Sequence, residues 1–227
     1  MTSILRSART LLSSALLSIA VLGCHAAPHG PIPAAKVDDT LATKPGRETA
    51  IFAGGCFWGT QAVFQRVKGV IATTAGYDGG TAATATYDQV SSESTTHAES
   101  VKVVFDPSRI TFGKLLQIFF AVHDPTTLNR QGNDTGTSYR SAIFFTTPGQ
   151  QRIAQTYIAQ LDAAHTFPHK IVTEVTKNSG FFDGEDYHQD YALKNPNDTY
   201  ILVCDRPKIA TLKAEFPDLF VEYTGKK

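Results

Sequence analysis

An excess of charge of one sign is the first thing this sequence lacks. Among 227 residues, Lys and Arg together number 21, and so do Asp and Glu. A chain without a basic surplus gives no electrostatic case for nucleic acid. Cysteine is scarce, with Cys24, Cys56 and Cys204 alone, and tryptophan is single, at Trp58. The body of the chain has no apolar run long enough to cross a membrane. It has no internal repeat and no Rossmann or P-loop fingerprint. His165 and His169 are four apart, but Pro168 between them argues against a helical metal pair, so neither a metal nor an organic cofactor is expected. What is present is near-average: 42% hydrophobic residues, enough for one well-buried domain.

The N-terminus reads as a targeting segment. Arg6 and Arg9 form a basic region, and Leu11 to Gly23 is apolar and uncharged. Val21-Leu22-Gly23-Cys24 resembles a bacterial lipoprotein processing box, with cleavage before Cys24 and a lipid on its sulfur. An ordinary signal peptide cut after Ala26 or Ala27 is the alternative. Either reading exports the protein, to a bacterial periplasm or to a membrane through a lipidated Cys24. The expected division is 1–23 signal peptide, 24–47 flexible Pro/Ala-rich tether, and 48–227 catalytic domain. In an oxidising compartment two remaining cysteines invite a disulfide, structural or catalytic, and spacing alone does not decide.

Along the domain, apolar periodicity predicts a buried strand over 49–53 and a further strand over 69–75, closed by turn residues at Gly76 to Gly80. Thr81 to Thr96 reads as a long polar loop. Glu99 to Phe105 alternates as a strand. Thr111 is the expected N-cap of a helix over 112–122, and Thr147-Pro148 opens another that reaches about Ala164. Between these helices lie a polar loop over 126–138 and a strand over 139–146. Strand 171–176, a loop over 178–186, a short helix over 188–194, an extended segment over 199–204 and a last helix over 207–216 complete the chain. Alternating strands and helices give an α+β fold, a two-layer sandwich with a mixed central sheet.

Gly54-Gly55-Cys56-Phe57-Trp58-Gly59 organises the rest. It places Cys56 where a strand turns into a helix. Unsatisfied N–H groups and the positive end of the helix dipole there favour an anion, so a lowered thiol pKa is expected. Gly54 and Gly55 allow a tight turn and keep the approach to sulfur clear. Phe57 and Trp58 supply an apolar wall. The bland alternative is a small buried thiol among core aromatics.

Thiolate chemistry also needs an acid and donors that hold the departing oxygen. Glu99, Tyr87, Asp134 and Tyr139 are the candidates, and each alone reads as readily as a structural residue. Together with Gly55-Cys56-Phe57-Trp58-Gly59 they fall in ordered blocks: Ala75-Gly76-Tyr77, His97-Ala98-Glu99, Gln131-Gly132-Asn133-Asp134, Tyr139-Arg140-Ser141, and Tyr187-His188-Gln189 with Asn195-Pro196. This pattern resembles the type A peptide methionine sulfoxide reductases across about 50–196.

The resemblance implies a ferredoxin-like core and reduction of the S epimer of methionine sulfoxide, in proteins and free. It implies attack on the sulfoxide sulfur by Cys56, leaving a sulfenic acid. Phe57 and Trp58 would receive the substrate methyl group. Tyr87, Tyr139 and Glu99 would hold the oxygen, with Glu99 donating a proton, and Asp134 would order the pocket. The implied partners are oxidised proteins and an external thiol, a thioredoxin-like protein or a small thiol, and a monomer is expected. Repair of oxidised envelope proteins is the implied role. The chain departs from many members at its C-terminus. It lacks a Gly-rich tail with resolving cysteines and carries Asp205-Arg206-Pro207-Lys208 before a helix, so Cys204 is either a resolving cysteine or a buried strand residue. Two other classes stay open: a cysteine hydrolase or acyltransferase using His97 or His188 as base, and a non-catalytic envelope lipoprotein.

Overall fold

The computed structural model describes residues 30–225. The expected signal segment and Cys24 lie outside the described residues. In chain order the elements are β1 (Glu48–Gly54), α1 (Phe57–Phe64), β2 (Val70–Asp78), α2 (Tyr87–Ser91), β3 (Ala98–Phe105), α3 (Phe112–Val122), β4 (Arg130–Gln131), β5 (Asp134–Thr135), β6 (Ser141–Phe145), α4 (Pro148–Ala163), β7 (Glu174–Lys177), β8 (Phe182–Asp183), α5 (Tyr191–Lys194) and α6 (Arg206–Glu215).

Six strands form one sheet in the order β7-β6-β1-β3-β2-β8. All pairs are antiparallel except β6 with β7, so the sheet is mixed. Its centre, β6-β1-β3-β2, is connected as β-α-β-β-α-β, which is the ferredoxin-like arrangement. Side chains alternate across the sheet as strand geometry requires. Ala50, Phe52, Val101 and Val103 face a core shared with Phe64 of α1, Phe119 of α3, Ile153 of α4 and Leu212 of α6. Ile51, Ala53, Ala142 and Phe144 form a smaller cluster on the other face, with Phe181 packed against it. Phe52 is fully buried and stacks on Phe64 and Phe119 at centroid distances of 5.1 and 5.0 Å.

Local chemistry sets the helix starts. Thr111 Oγ1 accepts from the Lys114 N–H at 3.2 Å, and Thr147 Oγ1 accepts from the Gln150 N–H at 3.2 Å with Pro148 in the first turn. Residues 30–47, expected as an extended tether, carry no helix or strand but lie along the domain. Ile32 is buried, its carbonyl accepts from Gln117 Nε2 at 2.6 Å, and Asp38 accepts from the Gly113 N–H at the start of α3 at 2.8 Å.

Several expectations need correction. β2 does not stop at Ala75: Gly76 and Tyr77 stay in the strand because β8 pairs with them. The polar stretch over 81–96 holds α2, which carries Tyr87. The segment over 199–204 is not extended. Ile201–Asp205 is a π-helical turn leading straight into α6, with Ile201, Cys204 and Asp205 buried.

Candidate active site

Cys56 is the N-cap of α1, so the strand-to-helix turn stands where the sequence puts it. Gly55 makes the turn with φ +85°, a left-handed conformation that only glycine adopts without strain. The space beside it is filled. A Cβ on Gly55 would lie 2.4 Å from Gln131 Cγ, and one on Gly54 would lie 2.8 Å from Phe119. The two glycines therefore admit packed neighbours rather than clearing a path to sulfur. Gln131 in turn holds the β4–β5 hairpin, and with it Asp134, against the turn.

The backbone N–H of Phe57 donates to Glu99 Oε2 at 3.0 Å. That bond joins the residue after the thiol to a carboxyl on β3. Cys56, Phe57, Trp58, Tyr87, Glu99, Asp134, Tyr139 and Tyr200 line one small cavity of about 80 Å³. Seven of these were singled out from sequence, and Tyr200 was missed. Its hydroxyl donates to Asp134 Oδ2, and its ring meets Trp58 edge-on at 5.8 Å. Nothing in the apolar run Tyr200-Ile201-Leu202-Val203 marks it.

Each wall has a support the sequence did not reveal. Trp58 lies flat on Tyr191, with centroids 3.7 Å apart, and its Nε1 donates to His188 Nδ1 at 3.1 Å. Glu185 accepts from the Tyr87 N–H at 2.8 Å and from the Tyr77 hydroxyl at 2.7 Å. Glu93 accepts from the Ser138 N–H at 3.0 Å and from the Thr137 hydroxyl at 3.1 Å, fixing the turn that carries Tyr139.

Burial dominates the electrostatics. Loss of solvent pushes the Glu99 carboxyl up to about 8, opposed by the Phe57 N–H and reinforced by Asp134. The thiol of Cys56 is also pushed well above its ordinary value, by burial first and then by Glu99 and Asp205, while Lys208 and the Trp58 N–H pull it down. The lowering expected from the helix terminus is thus outweighed by burial. A thiol that is 7% exposed loses more from desolvation than one turn of N–H groups returns. Glu99 is mostly protonated near neutral pH, and Cys56 is a neutral thiol.

No histidine lines the cavity. His188 Nδ1 is occupied by Trp58, and His97 Nε2 contacts the Thr81 carbonyl oxygen at 3.0 Å. No group of three or more His, Cys, Asp or Glu side chains among the described residues could hold a metal ion. Cys204 is buried and Cys56 is a free thiol, so the two are not joined to each other.

Comparison with known proteins agrees with this geometry. A family model described as peptide methionine sulfoxide reductase matches residues 48–219. The chain is 49% identical to peptide methionine sulfoxide reductase MsrA 2 of Synechocystis, over 83% of this chain and 88% of that protein. It is 52% identical to MsrA 2 of Mesorhizobium japonicum, over 78% and 92%. Among solved structures it resembles reduced Mxr1 from Saccharomyces cerevisiae, with a TM-score of 0.62 and 31% identity over 71% of this chain and 92% of that one. Methionine sulfoxide reductase A of Corynebacterium diphtheriae matches with a TM-score of 0.59 and 36% identity, over 76% and 87%. A match over residues 48–219, a range that holds every residue lining the cavity around Cys56, establishes that the chain belongs to the peptide methionine sulfoxide reductase family, as a type A enzyme that returns methionine sulfoxide to methionine.

Proposed function

We propose that Cys56 takes the oxygen from the S epimer of methionine sulfoxide with Glu99 as the proton donor. The observation that carries this is a buried, proton-bearing carboxyl bonded to the residue next to the thiol. The sulfoxide methyl packs against Phe57 and Trp58, and its oxygen points toward Glu99, Tyr87 and Tyr139. Attack of the Cys56 sulfur puts negative charge on that oxygen, and Glu99 protonates it. The S–O bond to methionine breaks, methionine departs as the thioether, and the oxygen remains on Cys56 as a sulfenic acid. Sulfur of methionine is reduced by two electrons, and sulfur of Cys56 is oxidised by two. Both reacting groups are neutral before attack, so as the sulfur attacks its proton passes to the Glu99 carboxylate that has protonated the oxygen, and Glu99 ends protonated with Cys56 a neutral sulfenic acid. Asp134, held by Tyr200, fixes the polar end of the cavity.

An external thiol then closes the cycle. It attacks the sulfenic acid, releases water and forms a mixed disulfide, and a second thiol frees Cys56. A thioredoxin-like dithiol or a small thiol supplies both. Resolution by Cys204 is the competing route, and Cys56 stands as a free thiol not bonded to it. Mass spectrometry after one turnover without reductant tests the external-thiol route: a persistent Cys56 sulfenic acid is expected, and a Cys56–Cys204 bridge contradicts it.

The basic and apolar stretch over 1–23 supports export, with Cys24 lipidated and oxidised envelope proteins as substrates. A palmitate label incorporated by the wild type and absent from Cys24→Ala is the expected result. Equal labelling contradicts the anchor.

A further inference from the structure

Two charged side chains lie buried beside the turn that carries Cys56 and have no part in the chemistry above. Asp205 is fully buried and Lys208 is 4% exposed, with Lys208 Nζ 3.4 Å from Asp205 Oδ1. Asp205 Oδ2 is buried with no hydrogen-bond partner. A pair this far from water and incompletely bonded is a poor source of stability, because desolvation of both ions opposes their attraction.

Its position is specific. Gly59 is the third residue of α1, and a Cβ on it would lie 2.1 Å from Asp205 Oδ1 and 2.8 Å from Lys208 Nζ. Helical Cβ atoms lean toward the N-terminus, and the side chain at this third position is the one that reaches back to the N-cap in a capping box. The N-cap here is Cys56. The ion pair therefore fills the room that a side chain at 59 would take, on the Cys56 side of the turn. α1 itself carries no charged residue. Around the sulfur from other elements stand Glu99 on β3, Asp134 on β5, and the hydroxyls of Tyr87, Tyr139 and Tyr200. None of these is a cation, and Lys208 is the cation that acts on the sulfur, while Asp205 acts against charge there.

We propose that Asp205 and Lys208 are positioning residues for the nucleophile, with the Lys208 ammonium stabilising the Cys56 thiolate across the first turn of α1 and the Asp205 carboxylate pinning that ammonium in place and moderating its pull. This rests on Cys56 being the reactive thiol. Glycine at 59 is then required for access of the pair to the turn, and the N-terminal end of α6, capped by Asp205, delivers it.

The test is the pH dependence of Cys56 alkylation by iodoacetamide, with the Cys56 peptide quantified by mass spectrometry under non-reducing conditions. Asp205→Asn leaves the ammonium unopposed and should lower the alkylation midpoint by about one pH unit. Asp205→Asn combined with Lys208→Met removes both charges and should titrate about one unit above the Asp205→Asn single variant. Asp205→Asn leaves the buried Lys208 ammonium without its carboxylate, so a thermal melt of each variant checks that it folds, and the double variant has no unpaired charge at the pair. Coincident midpoints for the single and double variants, or an upward shift in Asp205→Asn, overturn the proposal. The readout contains no sulfoxide, so shifted midpoints in a protein that fails to reduce sulfoxide would uphold the pair and sink the proposed mechanism instead.

Discussion

The Phe57 N–H and the Glu99 carboxyl are 42 residues apart in sequence and 3.0 Å apart in space. One hydrogen bond thus ties the acid to the turn that carries the nucleophile. Glu99→Gln keeps an oxygen to accept that N–H but cannot give up a proton. Turnover should fall about 10²- to 10⁴-fold, the usual worth of a positioned acid, with the circular dichroism spectrum unchanged. Near wild-type turnover in the folded variant would remove Glu99 from the mechanism.

The same carboxyl fixes the sign of the pH response. Glu99 must hold its proton to donate it, and burial sets its midpoint at about 8. With excess thiol reductant, kcat/KM should decline as pH rises through about 8. The decline should be absent from the residual activity of Glu99→Gln.

Stability should follow in the same direction. A carboxyl raised from 4.5 in the open chain to about 8 when folded binds its proton more tightly in the native state. Its contribution is fully present below about 4.5 and is lost as pH rises toward 8, at about 1.4 kcal/mol per pH unit in between. Glu99→Gln has no such loss. The difference in unfolding free energy, variant minus wild type, should therefore grow between pH 5 and pH 8 and level off above. A constant difference would contradict the raised carboxyl.

Tyr200 reaches the cavity from a segment that sequence reading took as extended. Tyr200→Phe keeps the ring against Trp58 but strands Asp134 Oδ2. A hydrogen bond to a carboxylate contributes about 1.5–3 kcal/mol, so KM for a sulfoxide peptide should rise about tenfold or more, with a smaller effect on kcat. Unchanged KM would mean that Asp134 is ordered without it.

At Gly55, a methyl group meets both a φ of +85° and Gln131. Gly55→Ala should cost about 1–3 kcal/mol of stability, read as a lower denaturant midpoint. It should also loosen the β4–β5 hairpin that carries Asp134.

The helices over 112–122 and 148–163 were legible because their signals are local: a threonine cap, a proline in the first turn, and apolar residues at helical spacing. The cysteine turn was legible for the same reason. The helical turn after Tyr200 was not. Its buried stripe runs Ile201, Cys204, Asp205, Lys208 and Leu212, which is helical spacing, but an aspartate and a lysine interrupt the apolar pattern. Leu202 and Val203 are apolar yet 39% and 41% exposed, which completed the appearance of a strand. β8, two residues long, exists only because β2 lies beside it. The direction of the Cys56 shift was misjudged because helix-terminal N–H groups can be read from sequence, whereas the depth of burial that outweighs them cannot.

Reduction of each epimer of a methionine sulfoxide peptide, with dithiothreitol as reductant and Cys56→Ser alongside, tests the central claim most directly. Turnover of the S epimer alone, lost in Cys56→Ser, is the predicted result. Turnover retained by Cys56→Ser, or no turnover of either epimer by folded wild-type protein, would contradict the account.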